Sequence, residues 1–335
     1  MTEQRPKLSV VVLAYNHETF IEQALASVLM QEVDFSYEVI VGEDCSTDGT
    51  RARVAALAAQ HPDALRPVYH ARNGGMGANL RACLTACRGE YIALLEGDDY
   101  WTSPHKLQRQ VDWLDEHPDF ALCFHPVAER YDDGTPPPAP NPAPAAPRDV
   151  YTFEDFLVPG ATLASTGATV LRNVLPTWPD WLFAANPIDF SLAALYSEHG
   201  PAKRLPEVMG VYRIHRGGVW SGAARHQNSM RLLRMYEQLA RHYAATPHGP
   251  VLHRHLYGLY LLVANVHANH GYTAEAVGLL RQAVRLGPGG AGPGLSRWLG
   301  VGLRLARSLG RRPQPASMLG PERAAPAPPA PGAPA

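Results

Sequence analysis

The sequence has no apolar run close to the roughly 20 residues that a membrane-crossing helix needs, so no spanning segment is expected. Leu8–Ala14 is too short for a signal peptide, and polar residues follow it at once. Cysteine is scarce: Cys45, Cys83, Cys87 and Cys123 are scattered through apparent core elements. Cys83 and Cys87 have a helical C-x-x-x-C spacing that could bind metal, but no His or Cys partner stands near them. Buried, reduced thiols are the expectation, and with them a cytoplasmic location. Charge of one sign is also lacking. Lys plus Arg number 30 and Asp plus Glu 31, which excludes a global field that would draw the chain to nucleic acid. The G-x-G-x-x-G fingerprint is absent after the first apolar run, against a dinucleotide-binding fold. Gly74-Gly75-Met76-Gly77 is glycine-rich but lacks the Lys-Ser/Thr of a phosphate loop. It makes a turn or lets backbone approach a ligand.

What is present centres on Tyr91-Ile92-Ala93-Leu94-Leu95-Glu96-Gly97-Asp98-Asp99-Tyr100-Trp101. An apolar run bounded by Gly89 and Gly97 suits a strand buried on both faces of a parallel sheet. Open α/β sheets bind ligands at the C-terminal ends of such strands. Glu96, Asp98 and Asp99 would repel one another there without a cation, and hard oxygen ligands suit Mg²⁺ or Mn²⁺. The alternative is an acidic, solvated turn capping a helix that starts near Pro104. Before this stretch, Leu8–Ala14 reads as a strand, followed by Asn16 as N-cap of an amphipathic helix reaching about Met30. Tyr37–Gly42 is a strand, Arg51–Gln60 a helix, Arg66–His70 a strand and Met76–Cys87 a helix. After it come a helix with Leu107, Val111 and Leu114, then a strand at Phe120–His125. This alternation predicts βαβ units and a mostly parallel sheet, and 335 residues suffice for a large core.

Ser9–Asn16, then Val41–Thr50, then Glu96–Trp101 with Lys106-Leu107 resemble, in order and spacing, the motifs of family 2 glycosyltransferases. The resemblance covers roughly Pro6 to Ser221. It implies an α/β fold of the GT-A (Rossmann-like) type, a mostly parallel sheet flanked by helices. It also implies an inverting, nucleotide-sugar-dependent enzyme using Mg²⁺ or Mn²⁺. Carried onto this chain, Ala14, Tyr15 and Asn16 hold base and ribose, and Asp44 accepts the ring N–H of a uracil-type base. Glu43 stands where the family commonly has Asp. Asp99 binds the metal, and Asp98 lies near the ribose or shares the metal. Asp189, in the first turn of a helix opened by Asn186-Pro187, is implied to be the general base; its plain alternative is a dipole-stabilising Asp. In Val211–Ser221, His215 is implied to ligate metal or bind diphosphate, with Arg213 or Arg216 neutralising the latter.

The remainder is read from pattern. Tyr131–Val150 is Pro/Ala-rich and expected to be a loop or flap. Thr152 is a plausible N-cap for a helix from Tyr151 to Leu157, and Ser165–Arg172 is a strand. The catalytic domain is taken as 1–221. A helical C-terminal extension, 222–288, holds Met230–Tyr243 and one tetratricopeptide-like pair within Tyr260–Pro288. Residues 289–335 join a basic segment, Leu295–Leu309, to a Pro/Ala tail. That segment is either a membrane-surface helix or a plain packed one. Expected partners are a nucleotide-diphosphate sugar (a UDP-sugar first) and a saccharide, lipid-linked or protein acceptor, without nucleic acid. Peripheral membrane contact at the inner face of the membrane and a homodimer are further expectations. Against the enzyme stand a non-catalytic scaffold acting through the helical C-terminus and a sugar-1-phosphate nucleotidyltransferase. The latter would want a Gly-rich, basic signature near the first strand, which is absent.

Overall fold

The computed structural model describes residues 5–132, 134, 148–158 and 164–287. The Pro/Ala-rich stretch inside Tyr131–Val150 lies almost wholly outside the described residues, as do Leu295–Leu309 and the tail. In chain order the strands are β1 Leu8–Ala14, β2 Tyr37–Glu43, β3 Leu65–Tyr69, β4 Tyr91–Glu96, β5 Tyr100–Trp101, β6 Leu122–Phe124, β7 Ala128–Tyr131, β8 Val150–Tyr151, β9 Val170–Arg172, β10 Ala202–Arg204 and β11 Gly210–Ile214. The helices are α1 Ile21–Leu29, α2 Thr50–Gln60, α3 Gly75–Ala86, α4 Lys106–Glu116, α5 Phe153–Phe156, α6 Asp180–Ala184, α7 Ile188–Ser197, α8 Arg225–His242, α9 Gly249–Asn269 and α10 Thr273–Leu286.

The main sheet has the order β3-β2-β1-β4-β9-β6-β10-β8. β1 pairs in parallel with both β2 and β4, and antiparallel pairing enters only where β9 and β8 join. Every residue of β1 is buried because helices cover both faces of the sheet. Val11 and Leu13 face α3 and the C-terminal helices; Val10 and Val12 face α1, α2 and α4. That two-sided burial is the reason this segment is continuously apolar. Register sets Leu13 opposite Glu96 and Ala14 opposite Glu43, so the loops leaving β1, β2 and β4 share one edge. A small second sheet, β5-β11-β7, stands beside it.

Four local expectations shift. Asn16 caps no helix: it adopts φ +56°, and α1 begins at Ile21 behind Phe20. Its carboxamide instead accepts the Thr47 N–H at 2.8 Å, tying two loops together. α4 begins at Lys106 rather than near Pro104, after a turn at Pro104-His105. The front of Ser165–Arg172 is a 3-10 turn, Thr166–Ala168, and only Val170–Arg172 is strand. The first helix of the pair expected within Tyr260–Pro288 begins well before Tyr260, at Gly249 of α9. Thr152 does precede α5, and its N–H donates to Asp155 at 2.8 Å, half of a capping box. α8 and α9 share one apolar cluster with the sheet and α7, through Leu233, Tyr236, Leu252 and Val263. Among the described residues, no helix is long and apolar enough to cross a membrane.

Candidate active site

Three loops and one helix end meet at the shared strand edge. On the β1 side, the Ala14 carbonyl accepts the Asp44 N–H at 3.0 Å. Ala14 is enclosed, so it contributes position rather than a free polar group. Tyr15 is 41% exposed and leaves an aromatic ring open beside it. Asp44 is buried, and its two carboxylate oxygens accept the N–H groups of Gly74 and Gly75, each at 2.8 Å. The glycine-rich stretch, expected as a turn, is the N-terminal end of α3: its first N–H groups, at Gly74 and Gly75, clamp Asp44, with Gly75 at φ +80°. Glu43 is fully buried and accepts from Ser46 N–H and Arg51, so it fixes the loop.

The acidic loop lies between β4 and β5. Gly97 is required there because a side chain would stand 2.7 Å from His17 Nδ1 and 2.9 Å from the Leu13 carbonyl. Asp98 lies 3.0 Å from His215 Nε2 and 3.7 Å from His17 Nε2. Burial works against its ionisation. The His215 hydrogen bond and the charges of His17 and His215 outweigh that and hold the carboxyl below its ordinary value. Asp99, also buried, accepts the Arg213 main-chain N–H at 2.8 Å. Burial and the neighbouring Asp98 push its carboxyl well above the ordinary range. Glu96 is pushed up in the same direction by burial, then by Asp98, Asp99 and Asp189. Asp189 therefore lies within electrostatic reach of the loop although it comes from α7. Its carboxylate accepts the Phe190 N–H at 2.8 Å, and burial raises its pKa against that bond.

Two sequence-based assignments change. The resemblance implies that Arg213 or Arg216 faces a diphosphate, and Arg213 does not fit that role. Its guanidinium is buried between the rings of Phe20 and Tyr100, at 4.9 and 4.7 Å, and bonds Gln23. What Arg213 gives the site is its main-chain N–H. Asp98, Asp99 and His215 do not form a ready three-ligand centre. His215 is bonded to Asp98 and packs on Phe20, and among the described residues no three His, Cys, Asp or Glu side chains are arranged to hold a metal. A hard divalent ion needs only one or two carboxylates when water and phosphate complete its shell. Asp99, a buried carboxylate raised by an adjacent like charge, is chemically suited to that role. His17 was missed. Its Nδ1 is enclosed without a partner and its other nitrogen faces Asp98, but in the sequence it is one polar residue in a loop.

Comparison with known proteins bears on the family and the fold. Residues 9–173 match glycosyl transferase family 2. An uncharacterised protein of Mycobacterium tuberculosis is 39% identical over 216 residues, 64% of this chain and 61% of that protein. The chain thus matches about three-fifths of that relative's length. A succinoglycan biosynthesis protein of Rhizobium meliloti is 40% identical over 111 residues, 33% of this chain and 30% of its own. Among solved structures, a mannosyltransferase from Pyrobaculum calidifontis in complex with GDP-Man and Mn²⁺ shares the fold at TM-score 0.52 and 21% identity, covering 91% of this chain and 81% of its own. S. aureus TarS in complex with UDP-GlcNAc does so at TM-score 0.58 and 19% identity, over 84% and 81% of the two chains. Residues 9–173 thus resemble a glycosyl transferase family 2 domain, and the sheet they help build has a GT-A-like fold.

Proposed function

We propose that the protein is an inverting glycosyltransferase that moves a hexosyl or N-acetylhexosaminyl group from a nucleotide-diphosphate donor, a UDP-sugar first, to an acceptor hydroxyl. The observation behind this is that buried Asp189, from a separate helix, acts on Glu96 at the start of the acidic loop, as Asp98 and Asp99 do. In this reading Asp44, held by Gly74 and Gly75, presents its remaining lone pairs to the N–H of the base, and Tyr15 offers a face beside it. Asp98, oriented by His215 and His17, lies toward the ribose. Mg²⁺ or Mn²⁺ held by Asp99, with Asp98, would offset charge on the departing diphosphate. Asp189 takes the acceptor proton as the oxygen attacks the anomeric carbon from the opposite side. One displacement inverts the configuration. Burial of Asp189 aids this, because a carboxyl with a raised pKa is a stronger base.

The acceptor belongs, in our proposal, to a bacterial surface polysaccharide or glycoconjugate. The succinoglycan relative supports that class, and a saccharide, lipid-linked or protein acceptor all fit it. We place the enzyme in the cytoplasm, at the inner face of the membrane if the 295–312 segment binds lipid, and allow for a homodimer. The test is calorimetric UDP binding with Mn²⁺ and with EDTA, for wild type and Asp99→Asn. Tight binding should require both the cation and Asp99. Equal affinities in all four cases would end the metal-dependent reading.

A further inference from the structure

Lys106, the first residue of α4, is completely enclosed, and among the described residues its Nζ has no hydrogen-bond partner. It lies 4.0 Å from the centre of the Trp101 ring. Burial lowers its pKa to about 7. Lys106 lowers the titration of His125, and the Cys123 thiol acts on Lys106; His125 and Cys123 are both buried. His125 donates from Nδ1 to the Pro126 carbonyl, which leaves Nε2 a lone pair with no partner. Gln110, one turn along α4, uses its amide nitrogen on the Cys123 and Ala168 carbonyls at 3.0 Å each, while its oxygen is also unpartnered. An enclosed donor and two enclosed acceptors without partners have the chemistry that an internal water links. An amine enclosed here at such desolvation cost calls for a reason beyond packing.

Trp101 supplies one. Its indole N–H donates to the Gly167 carbonyl at 2.6 Å, and its main-chain N–H to Ser27 Oγ at 3.0 Å. It pairs with Gly210 on β11, and three residues along that strand Arg213 N–H reaches Asp99. Gly167 approaches from another side: a side chain there would lie 4.0 Å from Asp99 Oδ2. The backbone on both sides of Asp99 is thus held through one residue, by the Trp101 indole on the Gly167 side and by its main chain on the β11 side. We infer that Lys106 is a positioning residue, which through the face of Trp101 holds β5, β11 and the Gly167 turn in register around Asp99. The inference rests on Asp99 belonging to the donor site proposed above.

Lys106→Met in the full chain keeps the aliphatic stem and removes the charge. Hydrogen exchange should become about tenfold faster in peptides covering 97–101 and 165–168, the scale of a lost desolvated cation–π contact. Peptides from β1 and β2 should not change, and the thermal midpoint should hold or rise. Lys106→Gln, polar without charge, should loosen the same peptides and serves if Lys106→Met does not fold. Mn²⁺–UDP affinity should weaken by a similar factor. Trp101→Phe should reproduce these effects, and adding Lys106→Met to it should change little more. Unchanged exchange in both Lys106 variants, or additive effects in the double variant, would overturn the inference. If wild type binds no Mn²⁺–UDP, the donor-site reading falls, and the exchange data still decide the role of Lys106.

Discussion

At the residue scale, the site divides into side chains that face open space and side chains that hold others. Asp98 is of the second kind toward His17 and His215, yet it keeps a free edge; Arg213 is wholly of the second kind. Asp189 is the sharpest case, because a helix-terminal Asp and a general base occupy the same first turn. Asn preserves size and bonds to backbone N–H but accepts no proton. Asp189→Asn should therefore lower turnover by roughly 10²–10⁴ with donor binding nearly unchanged. A transfer assay beside a donor-binding measurement decides this, and near-normal turnover would leave Asp189 a helix-terminal residue.

At the element scale, close approaches between helices limit what the sequence tolerates. A side chain at Gly77 in α3 would stand 1.8 Å from the Phe183 carbonyl of α6, which is backbone and cannot swing aside. Gly77→Ala should cost about 1–3 kcal/mol, read by urea unfolding. An unchanged midpoint would show that α6 shifts freely. The extension carries a histidine cluster. His226 of α8 lies 5.6 Å from His270 and 4.4 Å from the Tyr272 ring, with His267 at 5.8 Å. His226 and His267 titrate below their ordinary 6.5, first because of burial; neighbouring histidines add to this at His226, while at His267 the Val263 carbonyl and Glu275 oppose it. A depressed histidine means that the unfolded chain takes up protons first. This contribution is complete above about pH 6.5 and is lost as pH falls below it. The loss of stability between pH 7.5 and 5.5 should therefore be smaller in His226→Gln than in wild type. Identical losses would remove His226 from the account.

At the scale of the whole molecule, Tyr236 of α8 is fully buried in the cluster that includes Val11 and Ile92 of the sheet. The extension and the sheet therefore share a core. Tyr236→Ala should destabilise the protein by about 3–5 kcal/mol, the range for large aromatic truncations. Far-ultraviolet dichroism and tryptophan fluorescence should still report one coincident transition. Separate transitions would mean that the extension folds by itself.

The sequence alone determined the order of main-sheet strands and of helices from Leu8 to Phe124, though not the short β5, because a sheet covered on both faces demands continuous apolar runs that helices interrupt. It determined the acidic loop, because three carboxylates after a buried strand have few structural uses. Only the tertiary structure decided partners. That Asp44 is clamped by the start of α3, that Arg213 lies between two rings, and that Asn16 joins loops instead of capping α1 are consequences of long-range placement. His17, Lys106 and Trp101 belong to the same class. A lone His in a polar loop or a Lys at a helix start carries no local mark of burial, since charge and hydropathy describe a residue and not its surroundings. Enclosure comes from packing α1, α4, β9 and β11 around the loop, elements far apart in the chain, and that is the information a local pattern does not hold.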